Sequence, residues 1–207
     1  MFFSKKNRLY QFLCSLWIKN AQRSDKTLGV DFSVWEDNQR IGIPKHRGNH
    51  YQPSTNDLEK VLDKLPITEK DTIIDIGCGK GKALYMMSQF PFRQIDGLEL
   101  SDALCHTAER NIKKLNLSRC RIINHDAATF SNYDDYNYFY IFNSFPEAVF
   151  LKMLDRILSS IERSPRKITL IYLNPVCHHH LINHGFRLFY RKNRYTKWFS
   201  YHCYHYS

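Results

Sequence analysis

From Asp57 onward the apolar and polar positions of this chain fall into runs of two different periods. The stretch Asp57-Leu58-Glu59-Lys60-Val61-Leu62-Asp63-Lys64-Leu65 reads as a short amphipathic helix, stopped by Pro66. Beyond it, short β-branched and aromatic runs alternate with longer amphipathic ones. The pattern predicts strands at 71–76, 93–99, 120–125, 136–143 and 167–173, and helices at 80–89, 102–116, 146–161 and 176–184. Alternation over units of about 30 residues implies a parallel sheet covered by helices on both faces. The rhythm changes in the tail, where 185–190 and 197–204 read as two strands joined through Lys192-Asn193-Arg194. So short a link forces antiparallel pairing, because a parallel crossover takes a dozen or more residues.

Upstream, residues 9–18 place Leu9, Phe12, Leu13, Leu16 and Trp17 on one helical face, flanked by lysines and Arg8. A signal peptide is not expected, since no small-residue cleavage site follows and the exit is Ile18-Lys19-Asn20-Ala21-Gln22-Arg23. The expectation is a helix packed on the domain, with an interfacial helix on anionic membrane as the sharper alternative. Residues 24–53 carry Gly29, Gly42, Pro44, Gly48 and Pro53 with little periodicity and read as a connection. The chain thus divides into an N-terminal helix and connecting segment, 1–48, and one α/β domain, 49–207.

Composition narrows the setting. With 207 residues, 43% of them hydrophobic, one packed domain is expected. No apolar run approaches the ~18 residues of a membrane-spanning helix. Six cysteines are dispersed without a CxxC pair, which suits a reducing, cytoplasmic compartment. The net charge of +10 is concentrated at the ends: residues 1–24 hold five Lys or Arg, residues 163–207 hold eight, and neither stretch contains an acid. Such a field attracts nucleic acid, anionic lipid or an acidic partner, although solvated surface lysines explain the same numbers.

The strand Thr72-Ile73-Ile74-Asp75-Ile76 runs into Gly77-Cys78-Gly79-Lys80-Gly81. Glycines permit a tight strand-to-helix turn and close approach of backbone to a ligand. In an open α/β sheet that turn is where nucleotides bind. A phosphate-binding P-loop is excluded by spacing, as is the dinucleotide fingerprint, which demands Gly or Ala where Lys82 stands. Asp75 would repel a diphosphate but suits S-adenosylmethionine, whose sulfonium and ammonium groups are cationic; a buried acid needs such a partner. Glu99 ends the next strand, 18 residues beyond Gly81, where an acid can accept both ribose hydroxyls. Capping the following helix is the other role open to Glu99, but Ser101 and Asp102 already supply that chemistry. After the third strand, Asp126 is placed to accept from an adenine amino group.

On these residues, 71–174 resemble a class I S-adenosylmethionine-dependent methyltransferase. Asp75 to Gly81 match the first motif, Glu99 the second-strand acid and Asp126 the third-strand acid. The resemblance implies a Rossmann-like sheet of seven strands in the order 3-2-1-4-5-7-6, mostly parallel, with the last pair antiparallel. It implies S-adenosyl-L-methionine as cofactor, held by Tyr51, Asp75, Gly77, Cys78, Gly79, Gly81, Glu99, Leu100, Asp126 and Ala127. Tyr51 lies in Asn49-His50-Tyr51-Gln52-Pro53-Ser54, which is similar to the Tyr-x-Pro element that closes over the methionine end. The fourth strand runs into Asn143-Ser144-Phe145-Pro146, where the family faces the methyl group. Asn143 is therefore expected to position an acceptor nitrogen or oxygen, with Phe145 and Pro146 as the wall. The alternative for Asn143 is a cap on the helix that follows. The segment departs from the Asn-Pro-Pro-Tyr of nucleobase amino methyltransferases.

His125 and His50 are candidate bases by position, though amines need none. No metal is expected. Cys177-His178-His179-His180 with His184 is conspicuous, and His180 and His184 would sit one helical turn apart. Yet no carboxylate lies nearby in sequence, and adjacent histidines point in different directions. Two rival functions fit the chain less well. One is an inactive binding module docking on RNA or anionic membrane, and the other an NAD(P)-dependent oxidoreductase lacking an evident Tyr-x-x-x-Lys pair.

Overall fold

The computed structural model describes residues 19–192 and 200–206. The amphipathic run at 9–18 and most of the link between the two tail strands lie outside the described residues. The first described helix, α1, covers 19–28. It is followed by α2 (Asp57–Leu62), β1 (Thr72–Ile76), α3 (Lys82–Met87), β2 (Gln94–Glu99), α4 (Asp102–Lys114) and β3 (Cys120–Asn124). The second half comprises β4 (Tyr138–Phe142), α5 (Glu147–Arg163), β5 (Ile168–Leu173), α6 (His178–Asn183), β6 (Arg187–Lys192) and β7 (Tyr201–Tyr206).

All seven strands form one sheet in the order β3-β2-β1-β4-β5-β7-β6, the predicted arrangement. The first five pair in parallel, and β7 lies antiparallel between β5 and β6. Strands β1 and β5 are buried along their whole length, as parallel strands covered on both faces must be. One face packs Ile74, Ile76, Phe139 and Ile141 against Val149, Phe150, Met153 and Leu181 of α5 and α6. The other packs Ile73, Ile95 and Tyr138 against Leu58, Val61, Leu84 and Met87 of α2 and α3.

Element ends differ from the sequence pattern for identifiable reasons. Helix α3 starts at Lys82 rather than 80 because Gly81, at φ 82°, is its N-cap. Helix α4 stops at Lys114 rather than 116. Asn116 takes φ 53°, and the Leu117 and Asn116 amides return to Ile112 and Lys113, a Schellman closure. The same closure ends α6: Gly185, at φ 90°, donates to Ile182 and Phe186 donates to Leu181. Residues 185 and 186 thus belong to a helix cap, and the tail strand predicted at 185–190 lies two residues later, at Arg187–Lys192. The strand expected at 197–204 is observed at Tyr201–Tyr206. No described helix is long and apolar enough to cross a membrane.

Candidate active site

The turn after β1 lies at the carboxyl end of the sheet, in the crevice where α/β sheets bind ligands. Gly77, Gly79 and Gly81 all take positive φ (83°, 56° and 82°), which side-chain-bearing residues rarely adopt. Two of the three are also covered at van der Waals distance. A Cβ on Gly79 would collide with the Tyr51 ring, and one on Gly77 with Ser144. The Gly77 and Cys78 amides both donate to the Leu98 carbonyl, which ties the turn to β2. The Cys78 thiol packs toward Gly97 and Leu84, and burial pushes its pKa up. The Cys78 side chain is therefore occupied in packing.

Asp75 pairs in register with Gly97 of β2 and Tyr140 of β4. It is 2% exposed, and burial, with Glu99 nearby, raises its pKa well above the usual carboxylate range. No hydrogen bond to its carboxylate forms among the described residues. It lines a cavity of about 20 Å³ together with Tyr51, Gly77, Cys78 and Tyr140. That is room for a water or an ammonium-sized group.

Glu99 is also buried, yet well provided for. Its Oε2 accepts from the Gly79 amide (2.9 Å), and Oε1 accepts from the Leu100 (2.8 Å) and Ser101 (2.9 Å) amides. Burial raises its pKa, and these three donors oppose the rise. The structure therefore shows Glu99 doing backbone work that the sequence assigned to its neighbours, although Ser101 does cap α4 through the Leu104 amide. A carboxylate has about four acceptor positions, so one remains. Leu100 packs beside Ile41, Ile43 and Tyr51. Asp126 accepts from Ala128 N through Oδ1 (3.0 Å) and is ion-paired with Arg47 through Oδ2. Ala127 is a buried core residue.

Asn143 takes φ 41° at the end of β4, a conformation Asn tolerates better than most residues. Its carbonyl accepts from Asn49 Nδ2 (2.6 Å), and among the described residues its side chain makes no hydrogen bond. It does not cap α5, whose N-cap is Pro146. Phe145 is buried in the core cluster with Val149 and Phe150, so its ring belongs to the packing; Pro146 is half-buried. His125 and His50 are exposed; the ring of His125 packs edge-on against Phe130 and that of His50 against Trp35.

Sequence reading missed the segment 31–51, which straps the glycine turn. Lys80, 2% exposed, points into this strap and bonds Asp31 (2.9 Å), Glu36 (3.2 Å) and the Val34 carbonyl (3.1 Å). Its ammonium also lies 5.3 Å from the centre of the Tyr51 ring. Tyr51 donates to the Phe32 carbonyl (2.6 Å) and exchanges backbone hydrogen bonds with Glu36. A lysine between two turn glycines, with two acids in a segment of low periodicity, was the available signal.

The histidine cluster requires a correction. His184 lies past the end of α6 and its Nδ1 bonds the His180 carbonyl (2.8 Å), so it does not pair with the His180 ring. A carboxylate does approach, from α5: Glu147 contacts His180 Nε2 and lies 3.7 Å from His179 Nε2. The same contact holds the Glu147 carboxyl below the usual range.

Comparison with known proteins agrees with this architecture. Residues 73–167 match the family model described as "Methyltransferase domain". A curated rRNA adenine N-6-methyltransferase of Lysinibacillus sphaericus is 29% identical over 102 residues, 49% of this chain. The chain spans 40% of the length of that relative. A SAM-dependent methyltransferase from Aquifex aeolicus superposes with TM-score 0.56 at 15% identity, covering 73% of this chain and 93% of that one. A magnesium protoporphyrin IX methyltransferase from Synechocystis PCC 6803, solved with bound SAM, superposes with TM-score 0.53 at 14% identity, covering 72% and 73%.

Proposed function

For a chain with the class I S-adenosylmethionine-dependent methyltransferase fold, we propose transfer of a methyl group to a nitrogen or oxygen of an acceptor at the rim formed by Asn143. The observation that carries this reading is Asp75, a buried carboxylate with no hydrogen bond among the described residues, facing a cavity beside the glycine turn. Such a group calls for a cationic partner, and the methionine end of the cofactor provides one. When bound, S-adenosylmethionine supplies a methyl group already activated by its sulfonium.

The chain's own residues then hold and exclude. Asp75 holds the ammonium, and the Gly77–Gly79 backbone allows close approach. Glu99 offers its remaining acceptor position to the ribose, and Asp126 accepts from the adenine amino group once Arg47 releases it. Because cofactor pockets run to roughly 300 Å³ or more, Tyr51 and Arg47 must shift outward to admit the whole molecule. Residues 49–207 are the catalytic unit in this reading, with the 31–48 part of the strap covering its cofactor side. The Asn143 side chain orients the acceptor atom for in-line attack, and Phe145 and Pro146 hold that corner rigid. In such reactions positioning and desolvation of the nucleophile supply most of the rate.

The curated relative acts on rRNA, and the basic chain ends suit a polyanion. RNA is therefore the first acceptor to try, in a cytoplasmic setting, with anionic lipid second. The test uses the full chain, methyl-labelled S-adenosylmethionine, and cell extract separated into RNA, protein, lipid and small molecules. Label is expected in one fraction. Asn143→Ala should cut its appearance about 100-fold while leaving S-adenosylhomocysteine affinity unchanged. Absence of label from every fraction with the unaltered chain would refute the activity; full turnover by Asn143→Ala would refute the role of Asn143.

A further inference from the structure

Beyond the cofactor crevice, the rim of the sheet gathers a set of donors that the sequence separates by more than thirty residues. Glu147 opens α5, and His179 and His180 lie in the first turn of α6. One Glu147 oxygen and one ring nitrogen of each histidine all lie within 4.8 Å of one another. Both imidazoles present Nε2 to the same atom, Glu147 Oε1. Only His180 reaches it as a hydrogen-bond partner. His179 Nε2 stops at 3.7 Å, beyond hydrogen-bond range. The two rings lie 3.9 Å apart, tilted by 40°. Adjacent histidines thus converge, contrary to the expectation from helical spacing, because both lie in the first turn of α6 where Glu147 of α5 approaches them.

We propose that Glu147, His179 and His180 bind one divalent ion of the zinc class. Two imidazole nitrogens and one carboxylate oxygen are the donor set such ions favour over Mg²⁺ or Ca²⁺, which take oxygen ligands. In a tetrahedral site with bonds of about 2.0–2.2 Å, neighbouring donors stand roughly 3.3 Å apart. The His179–Glu147 distance of 3.7 Å lies near that spacing, and the closer Glu147–His180 contact would open slightly to admit the ion. Glu147 and His179 are free to make that adjustment, with side chains 59% and 60% exposed, while His180, at 18%, is the fixed point. Three protein ligands leave a fourth position for water or another ligand. Glu147 follows Asn143 by four residues, so the ion sits on the rim where the acceptor is expected. That last connection rests on the proposed function; ion binding itself does not.

The test is direct binding to the full, untagged chain without S-adenosylmethionine. Zn²⁺ calorimetry should give one equivalent with a Kd of about micromolar or tighter, and Co²⁺ should develop the visible bands of a four-coordinate site. Glu147→Gln and His179→Ala, both on exposed side chains, should each weaken Zn²⁺ at least tenfold with unchanged thermal melts. His184→Ala should bind like the unaltered chain. Binding no tighter than millimolar, or full affinity in both Glu147→Gln and His179→Ala, would overturn the proposal. So would loss confined to His184→Ala. None of these outcomes bears on methyl transfer, which the labelled assay judges separately.

Discussion

Asp75 is the residue on which stability and function pull apart. Its folded-state pKa stands above the unfolded value of about 3.9. Its contribution is therefore fully present below that value and lost as pH rises through the folded pKa, so at pH 7 burial of Asp75 weighs against the ligand-free fold. Asp75→Asn should raise the melting temperature of the free chain at pH 7 by roughly 3 °C or more, about 1 kcal/mol at this size. The gain should shrink as the buffer is acidified, and S-adenosylhomocysteine should bind at least tenfold more weakly. A melting temperature unchanged or lowered at pH 7 would contradict the assignment. Asp75, Glu99 and the three glycines were legible in the sequence because a strand end fixes their place. Arg47, Asn49 and Ser144 were not, since each acts on the site only through contacts distant in sequence.

At the scale of elements, the strap 31–51 shows what periodicity cannot report. It is anchored by polar groups aimed at one buried lysine, and such anchoring leaves no repeating pattern. Removing a partner from a buried ion pair typically costs about 3–5 kcal/mol, because the remaining charge is stranded. Lys80→Met leaves Glu36 and Asp31 facing an apolar stem, and Asp31 is partly solvated. The expected loss is thus near the lower figure, about 3 kcal/mol, measured by urea denaturation. A loss under about 0.5 kcal/mol would show that the strap does not depend on this lysine. Strand and helix identities were legible because buried parallel strands read as apolar runs. Their ends were less so: the Schellman closures at Asn116 and Gly185 consume residues that the pattern alone extends into the neighbouring helix or strand.

For the whole molecule, the sheet order follows from the alternation of strands and helices together with the family resemblance, and the hairpin from loop length. The meeting of α5 and α6 at Glu147, His179 and His180 is a product of tertiary packing that no local signal carried. Global stability should also carry a histidine signature. Burial, with Arg191 and His178 adding to it, depresses His202 to about 4. An unfolded histidine titrates near 6.5, so this stabilising contribution is complete above 6.5 and lost as pH falls through about 4. Melting temperature should decline across that window, and His202→Gln should flatten the decline; an equal slope in the variant would remove His202 as its source. The central claim, that the glycine turn with Asp75 and Glu99 holds S-adenosylmethionine, is tested most directly by calorimetric titration of the full chain with S-adenosylhomocysteine. One equivalent should bind with a Kd of about micromolar order, weakened at least tenfold by Glu99→Ala. No saturable binding, or binding indifferent to Glu99→Ala, would contradict it.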